Sequence, residues 1–388
     1  FGTYAKPLTD EESGRAVNDN CHRRTWRGYN LFAKEKYPNY QTYSSIIKYP
    51  AFYEINDGTK LDIHSVKTFM RDRFEDILEN EDNPNYSDFK KDYDDHVLRY
   101  IGIETAYQIH VIQSNPDLPK YIAATEWVSM SNANYTPFVP ISNGVYSLPD
   151  YYTKVSDVYG YDEKSAANIF KKLNTLARVD RPNYGIYVQE FWESYEKIWD
   201  TEYSQLMDKI KSFDIDTRCD YISNYINKTL NNVIKTALFM IDDLTWHMMS
   251  DQSSTADPTP FKPCINVKDY AHTYGYSYEK INKTIKLSKG GEKYSLVLTS
   301  EEYPGSGKDY RSHGKISYGD VEENLDMVVN DYDVYVPLDD LAKYIKGDIN
   351  LNINDYKTPF NHAVWIIPVT ITIPIIGGLV FHFVNKKR

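Results

Sequence analysis

Residues 99–145 read RYIGIETAYQIHVIQSNPDLPKYIAATEWVSMSNANYTPFVPISNGV, and this stretch decides the fold of the chain. Between Ile101 and Gln113 apolar residues predominate at alternate positions, while the positions between them include Glu104, Gln108 and His110. A period of two residues is typical of a β-strand with one mainly apolar face and one more polar face. This segment therefore predicts a strand.

A turn and a second strand follow directly. Residues 115–119 read NPDLP, and Asn, Asp and Pro favour tight turns because their side chains or rings fix the local backbone. Residues 121–130 are again rich in apolar and β-branched side chains. Two such runs joined by a turn predict a β-hairpin.

Outside the hairpin, apolar stripes at helical spacing predict four helices. These helices are expected at residues 65–80, 162–178, 187–213 and 221–249. Residues 79–95 are acidic and lack the glycine of an EF-hand turn, which favours a solvated loop over a calcium site. The apolar stripes indicate core helices rather than a cofactor site.

After the Ser, Pro and Asp-rich residues 250–263, the pattern changes from helical to alternating. Residues 285–298 alternate around Gly290-Gly291, which predicts a second hairpin. We therefore expect an α+β chain with three parts. Residues 1–260 form the main domain, 261–360 a Tyr-rich β region, and 361–388 a membrane anchor with a basic tail.

Composition narrows the possible functions. The 388 residues carry a net charge of −11 at pH 7, which argues against binding nucleic acid because that requires a basic surface. The 36 tyrosines favour half-buried surfaces and strands, since the ring packs while the hydroxyl seeks a hydrogen bond. The chain has neither an H-E-x-x-H motif nor a Gly-x-Ser-x-Gly motif. We expect no cofactor and no metal.

The C-terminal residues predict a single membrane span. Residues 363–384 contain no Asp, Glu, Lys or Arg, and as a helix they would extend about 33 Å, enough for a bilayer core of about 30 Å. The basic residues 386–388 follow at once and favour the cytoplasmic side. We expect a type I anchor with an extracellular, lumenal or lysosome-like main body; the alternative is a buried core helix.

Four Asn-x-Ser/Thr triplets agree with that location and are candidate glycosylation sites: Asn85, Asn134, Asn227 and Asn282. About three such triplets would arise by chance at ordinary Ser and Thr frequencies, so they permit glycosylation without showing it. The three cysteines have no metal-binding spacing. If the compartment is oxidising, Cys219 with Cys264 is the candidate disulfide, and Cys21 is left over.

Several segments resemble the dipeptidase A-like family of N-terminal-nucleophile (Ntn) cysteine hydrolases, in the same order along the chain. They are Arg24–Asn30, Met70–Phe74, Arg99-x-Ile101, His110–Gln113, Asp117–Pro119, Trp127, Tyr135–Pro140, Ser165–Ala167 and the helix at 187–213. The resemblance covers roughly residues 1–215. It implies that these residues are part of a four-layer αββα sandwich that hydrolyses amide bonds, typically in dipeptides.

In that family the thiolate of an N-terminal cysteine attacks the carbonyl carbon, its own α-amine serves as the base, and preorganised donors hold the oxyanion. Cys21 is internal and Phe1 has no nucleophilic side chain, so we expect no catalytic nucleophile in this chain. The nucleophile would lie on an N-terminal fragment of the same precursor or on a portion absent from this sequence. The alternative is a non-catalytic binding or structural protein built on the same fold.

Two residues of the hairpin segment are the candidates for the substrate pocket, Arg99 and His110. Each also has a structural explanation, since Arg99 could pair with the acidic residues before it and His110 could be a hydrogen-bonded core residue. The expected partners are the membrane, the N-terminal fragment and a small peptide or amide substrate.

Overall fold

The computed structural model describes most of the chain between residues 20 and 345. The described ranges are 20–33, 37–40, 61–96, 98–153, 162–250, 261–289, 295–301, 311–329 and 333–345. Within them the chain forms two antiparallel sheets and a set of packed helices. The expected mixture of helices and sheets is confirmed.

The predicted hairpin forms the first sheet, which has three strands in the order β1-β2-β3: β1 (Gln108–Ser114), β2 (Ala124–Met130) and β3 (Val139–Ser142). Trp127 is paired with Val111 on one side and with Pro140 on the other. The side-chain oxygen of Asn115 accepts a hydrogen bond from the Asp117 N–H, which closes the turn as the sequence predicts.

The helices before residue 260 are, in chain order, α1 (Asn20–Phe32), α2 (Ile63–Arg71), α3 (Glu75–Leu78), α4 (Tyr86–Asp94), α5 (Asp150–Thr153), α6 (Ala166–Ala177), α7 (Ile186–Ile210) and α8 (Ile215–Ser250). A π-helical turn, Arg181–Gly185, leads directly into α7. The helices predicted at 162–178, 187–213 and 221–249 correspond to α6, α7 and α8. Their apolar stripes are buried in the main hydrophobic core, as expected.

The prediction of one continuous helix at 65–80 is wrong, because the structure has two helices there, α2 and α3. Asp72 ends α2, and its carboxylate accepts a hydrogen bond from the Phe74 N–H. Phe74 then takes a left-handed conformation, with φ of 60°, and its fully buried ring packs against Phe89. A non-glycine residue adopts this conformation only at a cost, which burial of the ring offsets.

The loop predicted at 79–95 is also corrected, since residues 86–94 form α4. The reason lies in Phe89, whose ring is fully buried and packs 5.5 Å from Trp26 and 5.0 Å from Phe74, centroid to centroid. Apart from Asp92, which is partly buried and pairs with Arg23 at 2.8 Å, the acidic side chains of this segment are exposed. They hid the helix from the sequence pattern.

The second sheet has seven antiparallel strands in the order β4-β10-β9-β8-β7-β6-β5. These are β4 (Cys264–Asn266), β5 (Ser277–Ile281), β6 (Thr284–Ser288), β7 (Ser295–Glu301), β8 (Arg311–Tyr318), β9 (Val321–Val329) and β10 (Val334–Pro337), with helices α9 (Val267–Thr273) and α10 (Leu338–Ala342). The hairpin predicted around Gly290-Gly291 is confirmed as the β6–β7 pair. The strand-rich character predicted after residue 260 is confirmed as far as residue 345.

One hydrophobic core joins the two sheets. Helix α8 contacts β3 and β4, and its Phe239 ring stacks on Tyr335 of β10 at 3.8 Å between centroids. Near the other end of α8, the Ser223 hydroxyl accepts a hydrogen bond from the Tyr146 N–H. The finer expectation of a four-layer αββα sandwich remains an expectation drawn from the resemblance.

The predicted membrane span at 363–384 and its basic tail lie outside the described residues. Of the helices that the structure describes, none combines the length and the apolar character that crossing a bilayer requires.

A buried ion pair connects α2, α7 and the loop between β2 and β3. The guanidinium of Arg71 makes two hydrogen bonds to Glu196, at 2.5 and 3.0 Å, and both side chains are almost fully buried. Arg71 also donates to the carbonyls of Ala133 at 2.6 Å and Thr136 at 3.2 Å, while Glu196 accepts from the Phe138 N–H at 2.6 Å. The pair therefore satisfies backbone groups that would otherwise be buried without partners.

We expect Arg71→Met to lower the free energy of unfolding by about 3–5 kcal/mol, because Glu196 would be left as a buried charge without its partner. Chemical denaturation measures this loss. The double variant R71M/E196L should recover part of the stability by removing both charges. A single variant within about 1 kcal/mol of the wild type would show that the pair does not organise this region.

Candidate substrate-binding cleft

A cleft of about 320 Å³ lies between the segment from Arg73 to Tyr100 and the turn that precedes α7. Charged groups of both signs line it together with two tyrosines and a few aliphatic side chains: Arg73, Glu75, Leu78, Glu79, Lys90, Tyr93, Tyr100, Arg181, Pro182 and Ile186. Its size and its mixed charge suit a small ligand that carries both a positive and a negative group.

Arg73 is held at the cleft by the break between α2 and α3. Its guanidinium lies 4.3 Å from the centre of the Tyr100 ring and 3.1 Å from the Glu104 carboxylate. Glu104 also pairs with Arg178, at 3.2 Å. Because two arginines share one carboxylate, the charge of Arg73 is only partly neutralised by Glu104.

Arg181 forms the opposite wall and is positioned by the π-helical turn. Its guanidinium pairs with Glu75, donates to Gln189 at 3.0 Å and lies 3.4 Å from the Tyr135 hydroxyl. A Cβ atom at Gly185 would stand 2.8 Å from the Tyr135 ring, so only glycine allows this close approach. The turn thereby fixes Arg181 against the loop between β2 and β3.

The electrostatics of the cleft favour hydrogen-bonding recognition. Partial burial raises the pKa of Tyr100, so its hydroxyl is neutral and able to donate at physiological pH. Arginine can bind a carboxylate through two parallel hydrogen bonds, and a glutamate such as Glu79 can accept from an ammonium group. The arrangement can orient a zwitterion.

Neither Arg99 nor His110 lines the cleft. Arg99 is exposed beside Tyr100 in the chain but is not among the residues that line the cleft. His110 lies on β1, where its Nδ1 is 2.7 Å from the Glu126 carboxylate and its side chain is 43% exposed. His110 is therefore not a core residue.

Sequence reasoning missed Arg73 and Arg181. Arg73 lies within the Met70–Phe74 segment that resembles the dipeptidase A-like family, so a signal for it was available. Arg181 precedes a proline in a stretch without regular periodicity, and its proximity to Arg73 depends on how the π-helical turn packs.

The four glycosylation candidates differ in accessibility. The side-chain amides of Asn85 and Asn134 are buried and donate hydrogen bonds to the carbonyls of Pro38 and Gly102. Asn227 donates to the carbonyls of Ser147 and Ser223 on and beside α8. Asn282 is exposed at the β5–β6 turn. Among the four, only Asn282 presents its amide nitrogen to a modifying enzyme.

The suggested disulfide is corrected, since the structure keeps Cys219 and Cys264 as separate buried thiols. Cys219 lies near the start of α8, whereas Cys264 packs with Phe239 further along that helix. Twenty residues of helix separate Cys219 from Phe239, which corresponds to about 30 Å. A disulfide requires Cα atoms less than about 7 Å apart.

In the part of the chain that the structure describes, no three His, Cys, Asp or Glu side chains come together in a way that could hold a metal ion.

The region that forms the cleft matches a known peptidase family. Residues 11–197 match the model of peptidase family C69. Two curated relatives are each named Probable dipeptidase A, one from Streptococcus pyogenes serotype M18 (strain MGAS8232) and one from serotype M3 (strain SSI-1). Each is 22% identical over 161 residues, which are 40% of this chain and 33% of the relative.

The matched segment thus spans about a third of the length of these relatives. The resemblance to the dipeptidase A-like family is confirmed. The family model matches residues 11–197, whereas the resemblance in the sequence was expected over roughly residues 1–215. Arg73, Tyr100 and Arg181 all lie inside the matched residues.

Proposed function

We propose that this chain, whose residues 11–197 match peptidase family C69, contributes the substrate-binding part of a dipeptidase-like amidohydrolase of the cysteine Ntn type. The observation that carries the proposal is the cleft between Arg73 and Arg181. It lies within the matched residues and combines carboxylate-binding and ammonium-binding groups in a volume suited to a dipeptide. The family match and the names of the relatives support a peptidase at the level of the family.

The nucleophile of this enzyme would come from a segment outside these 388 residues. A nucleophilic cysteine needs exposure and a lowered thiol pKa. Cys219 is buried and burial raises the pKa of its thiol, while Cys264 is fully buried within the core. Neither thiol is suited to attack a peptide bond.

Strand β1 offers a place for that segment. It is at the edge of its sheet, and β2 is the only described strand paired with it. Tyr107 and Ile112 are 83% and 73% exposed, respectively, which is unusual for large apolar side chains beside an open strand edge. A segment that pairs with this edge would cover both side chains through strand addition.

The remaining features of the proposal concern location. The span at 363–384 would anchor the protein, and the main body with the exposed Asn282 would face the outside of the cell or a lysosome-like lumen. The substrates would be dipeptides or small amides in that compartment. The alternative is a non-catalytic binding protein on the same fold. The absence of dipeptide hydrolysis in the experiments below would favour it.

The native protein should contain a second, cysteine-bearing segment and should hydrolyse dipeptides. Intact mass measurement under native and denaturing conditions detects the segment, and iodoacetamide should abolish hydrolysis. Ile112→Lys should release the segment because it places a charge at the β1 edge. The matched control is Ile281→Lys, which changes an exposed isoleucine on β5, the edge strand of the second sheet. Native protein without such a segment and without hydrolysis would contradict the proposal.

Arg73→Gln should raise KM for dipeptides about 10- to 100-fold, the cost of losing one charge-assisted hydrogen bond to the substrate carboxylate. Steady-state kinetics should be measured with a dipeptide and with its C-terminal amide. Because the amide has no carboxylate for Arg73 to bind, its KM should not change on substitution. Arg178→Gln is the matched control, since Arg178 shares Glu104 but does not line the cleft. An equal effect of both variants would assign Arg73 a structural role instead.

A further inference from the structure

The two arginines of the cleft differ in how many of their hydrogen-bond donors the protein already uses. The Nη2 of Arg181 carries two N–H groups, and it donates to Glu75 as well as to Gln189. Among the described residues, Arg73 makes a single hydrogen bond, from its Nη1 to Glu104 at 3.1 Å. Arg73 therefore has donors left for a ligand, whereas the Nη2 donors of Arg181 are committed within the protein.

This commitment prevents Arg181 from binding a ligand carboxylate in the strongest way. A guanidinium holds a carboxylate best through two parallel N–H···O bonds, and in either arrangement one of them comes from Nη2, beside Nη1 or beside Nε. Gln189 is itself fixed, since its amide donates to Glu193 at 2.9 Å. Glu75 is therefore the group that a carboxylate would have to displace from Arg181.

Glu75 is also the paired carboxylate that a ligand meets in the cleft. The described cations that line the cleft each have a carboxylate partner: Arg73 pairs with Glu104, Lys90 with Asp94 and Arg181 with Glu75. Of these partners only Glu75 lines the cleft itself, and 43% of its side chain is exposed. Burial is the main cause of the raised pKa of Tyr100, Arg73 opposes the rise, and the charge of Glu75 adds to it. The negative charge of Glu75 is thus felt at both walls, and it repels a second carboxylate at short range.

We propose that Glu75 determines the specificity of the cleft by restricting it to dipeptides with a single carboxylate, those without an aspartate or glutamate side chain. The α-carboxylate binds Arg73, while a side-chain carboxylate would find Arg181 already neutralised and Glu75 beside it. Specificity of this kind comes from a group that opposes the wrong ligand. This role of Glu75 rests on the proposed function, in which the cleft binds the dipeptide and Arg73 its carboxylate.

The test compares the binding of alanylglutamine and alanylglutamate, two dipeptides of nearly equal shape that differ by one side-chain charge. Calorimetry on the native protein, treated with iodoacetamide so that neither dipeptide is hydrolysed, gives the two dissociation constants. The wild type should bind alanylglutamine at least about tenfold more tightly, because only alanylglutamate brings a second carboxylate. Equal affinity for the two dipeptides, or no binding of either, would overturn the proposal.

Glu75→Gln should bring the ratio of the two affinities close to one. The amide keeps the shape of the side chain but removes the charge, and a neutral acceptor gives way to a carboxylate more readily than a charged one. In the double variant E75Q/R181Q, alanylglutamate should lose the affinity that it gained, because the arginine that receives its second carboxylate is gone. Glu193→Gln is the matched control, since Glu193 accepts from Gln189 but does not line the cleft, and it should leave the ratio unchanged.

A ratio that Glu75→Gln does not lower, or that Glu193→Gln lowers equally, would overturn the role of Glu75. If Glu75→Gln does not fold, the ratio measured with the wild type still decides. Because binding is measured without hydrolysis, the two proposals fail separately. Charge-selective binding by a protein that hydrolyses neither dipeptide before treatment would contradict only the peptidase activity. Hydrolysis of both dipeptides with equal kcat/KM would contradict only the role of Glu75.

Discussion

The ion pair between Arg71 and Glu196 is the interaction on which the rest of this structure depends. It joins α2 to α7 across 125 residues of sequence and ties both to the loop between β2 and β3. Exposed ion pairs contribute little to stability, but this one is almost fully buried. Its value therefore lies less in attraction between charges than in supplying hydrogen bonds to three buried backbone groups. Without it, the carbonyls of Ala133 and Thr136 and the Phe138 N–H would lose their buried partners in the loop that carries Tyr135.

The cleft follows from this constraint. Arg71, the last residue of α2, points into the core; Asp72 then caps the helix, and the left-handed Phe74 turns the chain sharply. Arg73, between these two inward residues, lies beside Tyr100 at the cleft, with 11% of its side chain exposed. On the other wall, Arg181 is placed by its contact with Tyr135, whose loop the ion pair holds. Both arginines of the cleft are thus positioned by one buried pair that does not itself line the cleft.

Periodicity predicted the parts of the fold in which burial is uniform along an element. The β1–β2 hairpin, the long helices α7 and α8, and the β6–β7 pair all have regular apolar patterns that the structure reproduces. The predictions from periodicity fail where a charged side chain is buried, or where a single buried apolar residue holds an otherwise polar helix against the core. Lys67 is fully buried, 2.5 Å from Asp200 and 3.6 Å from the centre of the Trp127 ring, yet its position on α2 looks like a solvated one in the sequence. Such burial depends on partners far along the chain, since Asp200 is 133 residues away from Lys67.

The candidate site was harder to predict than the fold for a related reason. Arg99 and His110 stand out in the sequence because they lie in the segment with the most regular alternation of apolar residues. Such alternation indicates which side chains pack in the core, but it does not indicate which side chains bind a ligand. Arg73 and Arg181 belong to breaks in regular structure, at a left-handed residue and at a π-helical turn. Irregular backbone is where side chains from distant segments can converge on a ligand, since regular elements already commit their faces to the core. In this family-matched region, the residues to test first are therefore those at which the periodic pattern is interrupted.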